Sequence, residues 1–166
     1  MADDWVSPDS IEDTGENWHS GTLGLIIDGD SGTFGCCPGL NPGFWTHAAE
    51  MTLDTGIQCD KVRIDAGNWY DEESEEYSAI INLDVYWDDA WHDVYDGALS
   101  YHSPAQKLID SGNTHLVTKA RANFQYNGDG DEPVDVRFWD FVLNRVAGIV
   151  RPLVSGSLAA GKKGLM

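Results

Sequence analysis

The sequence contains no apolar run approaching the ~18 residues that a membrane-crossing helix needs, which excludes insertion by such a helix. Positive charge is scarce. Ten Lys and Arg stand against 28 Asp and Glu, a net charge of −18, and 20 of the acids are Asp. Such a surface repels phosphate backbones and anionic lipids, which argues against nucleic-acid and membrane partners. Cysteine is limited to Cys36, Cys37 and Cys59. An odd count with an adjacent pair is not the framework of a disulfide-stapled secreted domain. Reduced, mostly buried thiols are expected, and a bridge from Cys59 to Cys36 or Cys37 stays open. The first residues, Met1-Ala2-Asp3-Asp4-Trp5, lack the basic start and apolar run of a secretory leader. Synthesis in the cytoplasm without a signal peptide is therefore expected.

Catalytic signatures are missing as well. There is no Gly-x-Ser-x-Gly elbow, no Walker loop and no His-Glu-x-x-His. The five histidines (His19, His47, His92, His102, His115) show no metal-ligand spacing and read as structural. The acid pairs Glu72/Glu73 and Asp88/Asp89 are adjacent and surface-like. The expectation is a protein that is not an enzyme.

What is present points to one domain. The 166 residues are 42% hydrophobic and include seven Trp, six Tyr and five Phe, enough for a sizeable core. Helical periodicity is hard to find, and only residues 104–110 suggest one short turn. Strand signals recur at Thr22–Ile27, Trp45–Asp54, Lys61–Asp65, Ala79–Trp87, Trp91–Tyr95, Leu116–Tyr126 and Val134–Leu143. Asp88-Asp89 links two of them as a hairpin. Residues 9–20, 37–43 and 71–76 read as irregular. Many short strands divided by turn signals predict an all-β sandwich or barrel.

Composition divides the chain at residue 144. Residues 1–144 form the predicted sandwich. Residues 145–166 carry Arg145, Arg151, Lys162 and Lys163 with no acid, and are rich in Gly. This tail is a candidate docking arm for subunits of a common assembly, through Arg151, Leu153, Leu158, Lys162 and Lys163.

The sharpest local motif is Asp28-Gly29-Asp30-Ser31-Gly32-Thr33, with two carboxylates and a hydroxyl on a loop that suits a hard cation. It is not an EF-hand, because Gly32 stands at the fifth position and Gly39 at the twelfth.

The order of features over residues 9–144 resembles the galactose-binding-like β-sandwich, the jelly-roll fold of discoidin, coagulation-factor type C and family 32 carbohydrate-binding modules. The resemblance is carried by Asp28-Gly29-Asp30 with Thr33 and Phe34, then Trp45 and Leu53-Asp54-Thr55-Gly56. It continues through Lys61–Ile64, Val85-Tyr86-Trp87-Asp88-Asp89-Ala90-Trp91, Ala120-Arg121 and Phe138-Trp139-Asp140-Phe141-Val142. The loop of residues 35–43 is unusual for the fold, and Asp140 stands where Glu is common. The resemblance implies a structural Ca2+ held by Asp28, Asp30, Thr33 and Asp140. It also implies glycan contact through loop aromatics, for which Asn68, Trp69 and Tyr70, with Trp18 and His19, are the candidates. Two functions follow. The favoured one is a non-enzymatic structural or decoration component of a larger assembly, such as a virion or surface filament. The alternative is a calcium-dependent carbohydrate-binding module that meets cell-surface glycans.

Overall fold

The computed structural model describes residues 3–15, 18–19, 21–70, 75–126 and 133–147, with the backbone alone for Tyr70, Glu75 and Glu76. The tail residues Arg151, Leu153, Leu158, Lys162 and Lys163 lie outside the described residues. The strands are β1 (Trp5–Val6), β2 (Ser10–Asp13), β3 (Gly35–Leu40), β4 (Ala49–Tyr70), β5 (Glu75–Tyr77), β6 (Ala79–Trp87), β7 (Ala90–Leu99), β8 (Ala105–Leu108), β9 (His115–Tyr126) and β10 (Val134–Arg145). The described ladders are all antiparallel. The molecule is all-β.

Strand β4 organises the fold. Its first half lies between β2 and β9, with Thr52 opposite Ser10 and Ala49 opposite Ala122. Its second half pairs with β10 on one side and with β8 and β5 on the other. The register slips between Thr52 and Ile57, and there the strand leaves one layer for the other, as strands do at sandwich corners. One layer is β2-β4-β9-β6-β7. The second is built on β10, which also carries β1 and β3.

Period-two alternation, broken by one step of three in each strand, explains the core. Along β9, Val117, Ala120, Ala122, Phe124 and Tyr126 are buried, and along β10, Val134, Val136, Phe138, Phe141 and Leu143. The layers meet where the rings of Phe124 and Phe138 pack edge to face at 5.1 Å, with Trp18 closing on both at 5.9 and 6.3 Å. Burial pushes the Cys37 and Cys59 thiols up to about 12 and Cys36 to about 11, so all three stay protonated. The described cysteines are free.

Several local expectations are corrected. Thr22–Ile27 is no strand: a 3-10 turn spans Leu23–Ile26. Gly35–Leu40 is a strand within a stretch that reads as loop. Among the described residues it pairs only with β10, and an edge tolerates the missing donor of Pro38. Residues 105–108 form a strand, with the short turn coming later at Asp110–Gly112. Ser10–Asp13 is a strand and not irregular chain. The Asp88-Asp89 hairpin is as expected. Both residues take positive φ (49° and 60°), which matches the twist of the flanking strands. The body runs slightly past residue 144, since β10 ends at Arg145 and the Val146 N–H donates to Gln58 O at 2.8 Å.

Phe138→Ala empties the contact between the layers. We expect a loss of about 3–5 kcal/mol, read by urea denaturation. A loss below 1 kcal/mol would show that the layers do not depend on this pair.

Candidate functional site

The early loop closes on itself. The Asp30 N–H donates to Asp28 Oδ1 (2.8 Å), and the Gly32 N–H to Asp30 Oδ1 (2.9 Å). Around Thr33 Oγ1 stand Asp28 Oδ2 at 2.8 Å, Asp30 O at 2.9 Å and Leu25 O at 3.4 Å. A hydroxyl carries one proton, so it satisfies one of these acceptors at a time. The loop thus gathers four oxygens, of which two are main-chain carbonyls.

Asp140 is not part of this knot. It stands on β10 opposite Asp65 of β4, and Arg63 Nη2 donates to its Oδ2 at 2.8 Å. No three His, Cys, Asp or Glu among the described residues form a group able to hold a metal ion. The four-residue ligand set implied by the resemblance is therefore corrected. The register of β10 slips between Phe138 and Asp140, which points Asp140 to a guanidinium instead.

The expected sugar contacts also separate. Trp18 is only 6% exposed and lies between the layers, its indole N–H 3.4 Å from His47 O, so it offers no ring face to a ligand. Asn68 is buried inside β4, and its amide donates to Ser78 O at 3.1 Å. Both are corrected from loop contacts to interior residues. His19 is exposed, and its N–H donates to Cys36 O. Trp69 is half-buried on the outer face of the second layer, with the Arg137 guanidinium 4.1 Å from its ring centre. The side chain of Tyr70 lies outside the described set.

The exposed aromatic surface is elsewhere. Phe44 is 65% exposed and Trp45 43%, and among the described residues no other large aromatic is exposed. They sit on the connection from β3 to β4, which is bolted to the end of β9. Gln125 Nε2 donates to Gly43 O (2.7 Å), Gly43 N–H to Tyr126 O (3.2 Å) and Thr46 N–H to Phe124 O (2.8 Å). The Phe124 N–H donates to Thr46 Oγ1 (2.9 Å), and Asn123 Nδ2 to Thr46 O (3.1 Å). These bonds hold the backbone that carries the two rings in place before any ligand arrives, which lowers the ordering cost of binding. Trp45 and His47 line two concavities. One, of about 280 Å³, includes Phe44, Asn41 and Leu40. The other, of about 410 Å³, includes Thr14, Arg121 and Asn123. Aromatic faces with a few convergent polar groups are the usual lining of a small-ligand site.

The sequence holds a signal for this platform. Adjacent side chains on an extended segment point to opposite faces, so Phe44-Trp45 after Pro42-Gly43 cannot both enter one core.

Known structures share this architecture. The family 32 carbohydrate-binding module of AlyQ, solved with 4,5-unsaturated mannuronic acid, superposes with a TM-score of 0.57 at 13% identity, covering 84% of this chain and 97% of that one. The chain has the galactose-binding-like fold. Two family 32 modules from Clostridium perfringens have the same fold. One, in complex with GlcNAc-α-1,4-galactose, gives a TM-score of 0.59 at 12% identity and covers 87% of this chain and 96% of that one. The other is the module of NanJ in complex with galactose, with a TM-score of 0.59 at 8% identity and coverage of 87% and 100%. No family sequence model matches the chain, and no curated protein sequence does. The modules that share this galactose-binding-like fold are non-catalytic, though an AlyQ chain carries an alginate lyase domain as well.

One buried ionisable group on the outer face of the second layer has a pH signature. Asp65 is 2% exposed, its Oδ2 is 3.0 Å from His102 Nδ1, and its Oδ1 has no partner among the described residues. Burial pushes its carboxyl above the ordinary value of 3.8, against the opposing pull of His102. The folded state therefore holds this proton more tightly than the unfolded chain. The cost of keeping Asp65 ionised is full above the folded value, and it is relieved as pH falls through that value towards 3.8. The stability of the native protein relative to Asp65→Asn should rise on acidification from neutral pH to about pH 4, measured by urea denaturation at both ends. A relative stability that falls on acidification contradicts this.

Proposed function

We propose that this domain binds carbohydrate, with Phe44 and Trp45 as the stacking platform. The observation that carries the reading is that these two neighbouring aromatics are exposed on a connection bonded to the end of β9, with Trp45 lining both concavities there and Phe44 one of them. Sugar rings present apolar C–H faces that aromatic faces cover, and their hydroxyls need donors and acceptors. Asn41, His47, Asn123 and Thr14 line the concavities and offer both. The solved modules of the same fold were captured with 4,5-unsaturated mannuronic acid, galactose and a GlcNAc–galactose disaccharide, which supports the class of ligand. The assembly role expected from the basic tail has no counterpart among those structures, and the tail's docking residues Arg151, Leu153, Leu158, Lys162 and Lys163 lie outside the described residues.

The same reading gives the early loop a calcium ion. Asp28, Thr33 and the carbonyls of Leu25 and Asp30 supply hard oxygen donors from a segment of nine residues, Leu25–Thr33, and such donors suit Ca2+. The ion would relieve the crowding of acceptors round one hydroxyl and lock the segment that leads into β3.

Two measurements test this. A glycan array should yield neutral-sugar hits. Titration of the best hit against Trp45→Ala and Phe44→Ala should show affinity reduced about tenfold or more with an unchanged Tm, since truncated interface aromatics often cost about 2 kcal/mol. The absence of any glycan hit, or variants that bind as well as the native protein, defeats the platform. For calcium, a hundredfold excess over Kd adds about 2.7 kcal/mol to the native state, so Tm should climb by several degrees with CaCl2 and revert with chelator. Asp28→Ala should abolish the shift. A Tm indifferent to both reagents removes the ion.

A further inference from the structure

Two arginines of this chain follow one pattern. The Arg63 guanidinium lies 5.2 Å from the Trp5 ring centre and bonds to Asp140 at 2.8 Å. The Arg121 guanidinium lies 4.4 Å from the Trp91 ring centre and bonds to Asp84 at 2.8 Å. Each combines an aromatic face with a carboxylate. Arg137 has the first part twice over, with Phe34 at 4.7 Å and Trp69 at 4.1 Å. It has the second part not at all. Among the described residues no carboxylate lies within ion-pair distance of it, and its buried Nε, like that of Arg63, has no acceptor. Even Arg145, far more exposed, has Asp4 at 3.8 Å.

Among the described residues this sets Arg137 apart from the other arginines. The nearest acid along the strand, Asp135, turns its Oδ1 to the Gly39 N–H at 3.1 Å. Packing alone would require only the stem and the ring contacts. A guanidinium brings five donors in a planar fork that fits a carboxylate with two parallel bonds. Two ring contacts already hold the group, so less freedom is lost when an acceptor arrives.

We propose that Arg137, clasped by Phe34 and Trp69, reads the carboxylate of an acidic sugar, a hexuronate residue of a bound glycan. The ligand thus supplies what Asp140 and Asp84 supply to the other two arginines. This assignment rests on the carbohydrate reading above, but it concerns a different position, on β10 opposite Cys36 and Gly67. The net negative charge does not forbid it, because at physiological salt charges separated by more than about 8 Å are largely screened.

The test uses the full chain and calorimetry with a hexuronate oligosaccharide, beside the same oligosaccharide reduced at its carboxyls to neutral sugar. The native protein should bind the acidic form about tenfold or more tightly, as expected for charge-assisted hydrogen bonds. Arg137→Gln should bring the acidic form down to the level of the neutral one. Arg137→Lys should recover only part of the difference, since an ammonium lacks the fork. Equal binding of the two forms by the native protein, or an unchanged Arg137→Gln, overturns the proposal.

Failure of the platform is distinguishable, because Trp45→Ala should weaken the acidic and neutral forms alike. Should no oligosaccharide bind, or the variants not fold, the Arg137 side-chain NMR resonances of the native protein decide. They should move with sodium glucuronate and stay fixed with sodium chloride. No movement with glucuronate, or equal movement with sodium sulfate, rules out a carboxylate reader.

Discussion

Strand β4 pairs with β2, β5, β8, β9 and β10, so the placement of half the molecule follows from one continuous segment. Once its register slips near Gly56, the two halves belong to different layers, and the inward residues of each half must meet across the core. Val62, Ile64 and Ala66 are all buried. Because side chains alternate, the residues between them, Arg63, Asp65, Gly67 and Trp69, face outward. The outer face of the second layer is thus decided by the same alternation that fills the core.

That outer face is assembled with unusual closeness. A Cβ on Gly67 would stand 2.4 Å from Tyr101 Cδ2, so the absence of a side chain lets Tyr101 lie on the strand. His102 follows, reaching Asp65 and packing 4.5 Å from Trp139. The extra residue that the slip inserts into β10 presents Trp139 to Tyr101 at 5.0 Å and to Phe34 at 5.8 Å. The segment after β7 is therefore tied down by aromatic packing and by the contact of His102 with the buried Asp65. At the end of the sandwich, by contrast, main-chain and amide bonds to β9 hold the Phe44–Trp45 connection and leave its rings free.

Much of the fold was legible because it depends on period two. Ala79–Trp87, Leu116–Tyr126 and Val134–Leu143 alternate or are apolar on both faces, and the structure has strands at each. Elements that depend on tertiary pairing were not legible. β3 contains Pro38 and Gly39, poor strand formers, and exists because β10 offers it an edge. The candidate site divided along the same line. The Asp28–Thr33 loop is local, and its oxygens gather as the motif suggests. Asp140 depended on a slip in register that no sequence pattern signals. Trp18 and Asn68 read as loop residues because their flanks are polar, yet both are buried by strands distant in the chain.

The electrostatics of the chain bear on how two kinds of contact can coexist. Of the described cations, Lys61, Arg63, Lys119, Arg121 and Arg145 are each spent on a carboxylate, and Lys107 lies over the Tyr95 ring at 3.3 Å. The body thus presents an almost uniformly negative exterior. Stacking on Phe44 and Trp45 is indifferent to that field, because it rests on buried apolar area and ring geometry. Anion recognition is not indifferent: it needs a cation that the chain's own acids have not taken. Among the described acids none is paired with Arg137, which lies beside the rings of Phe34 and Trp69. On the proposed reading, a surface otherwise rich in acids admits an anion at this position because Arg137 offers it a cation at short range.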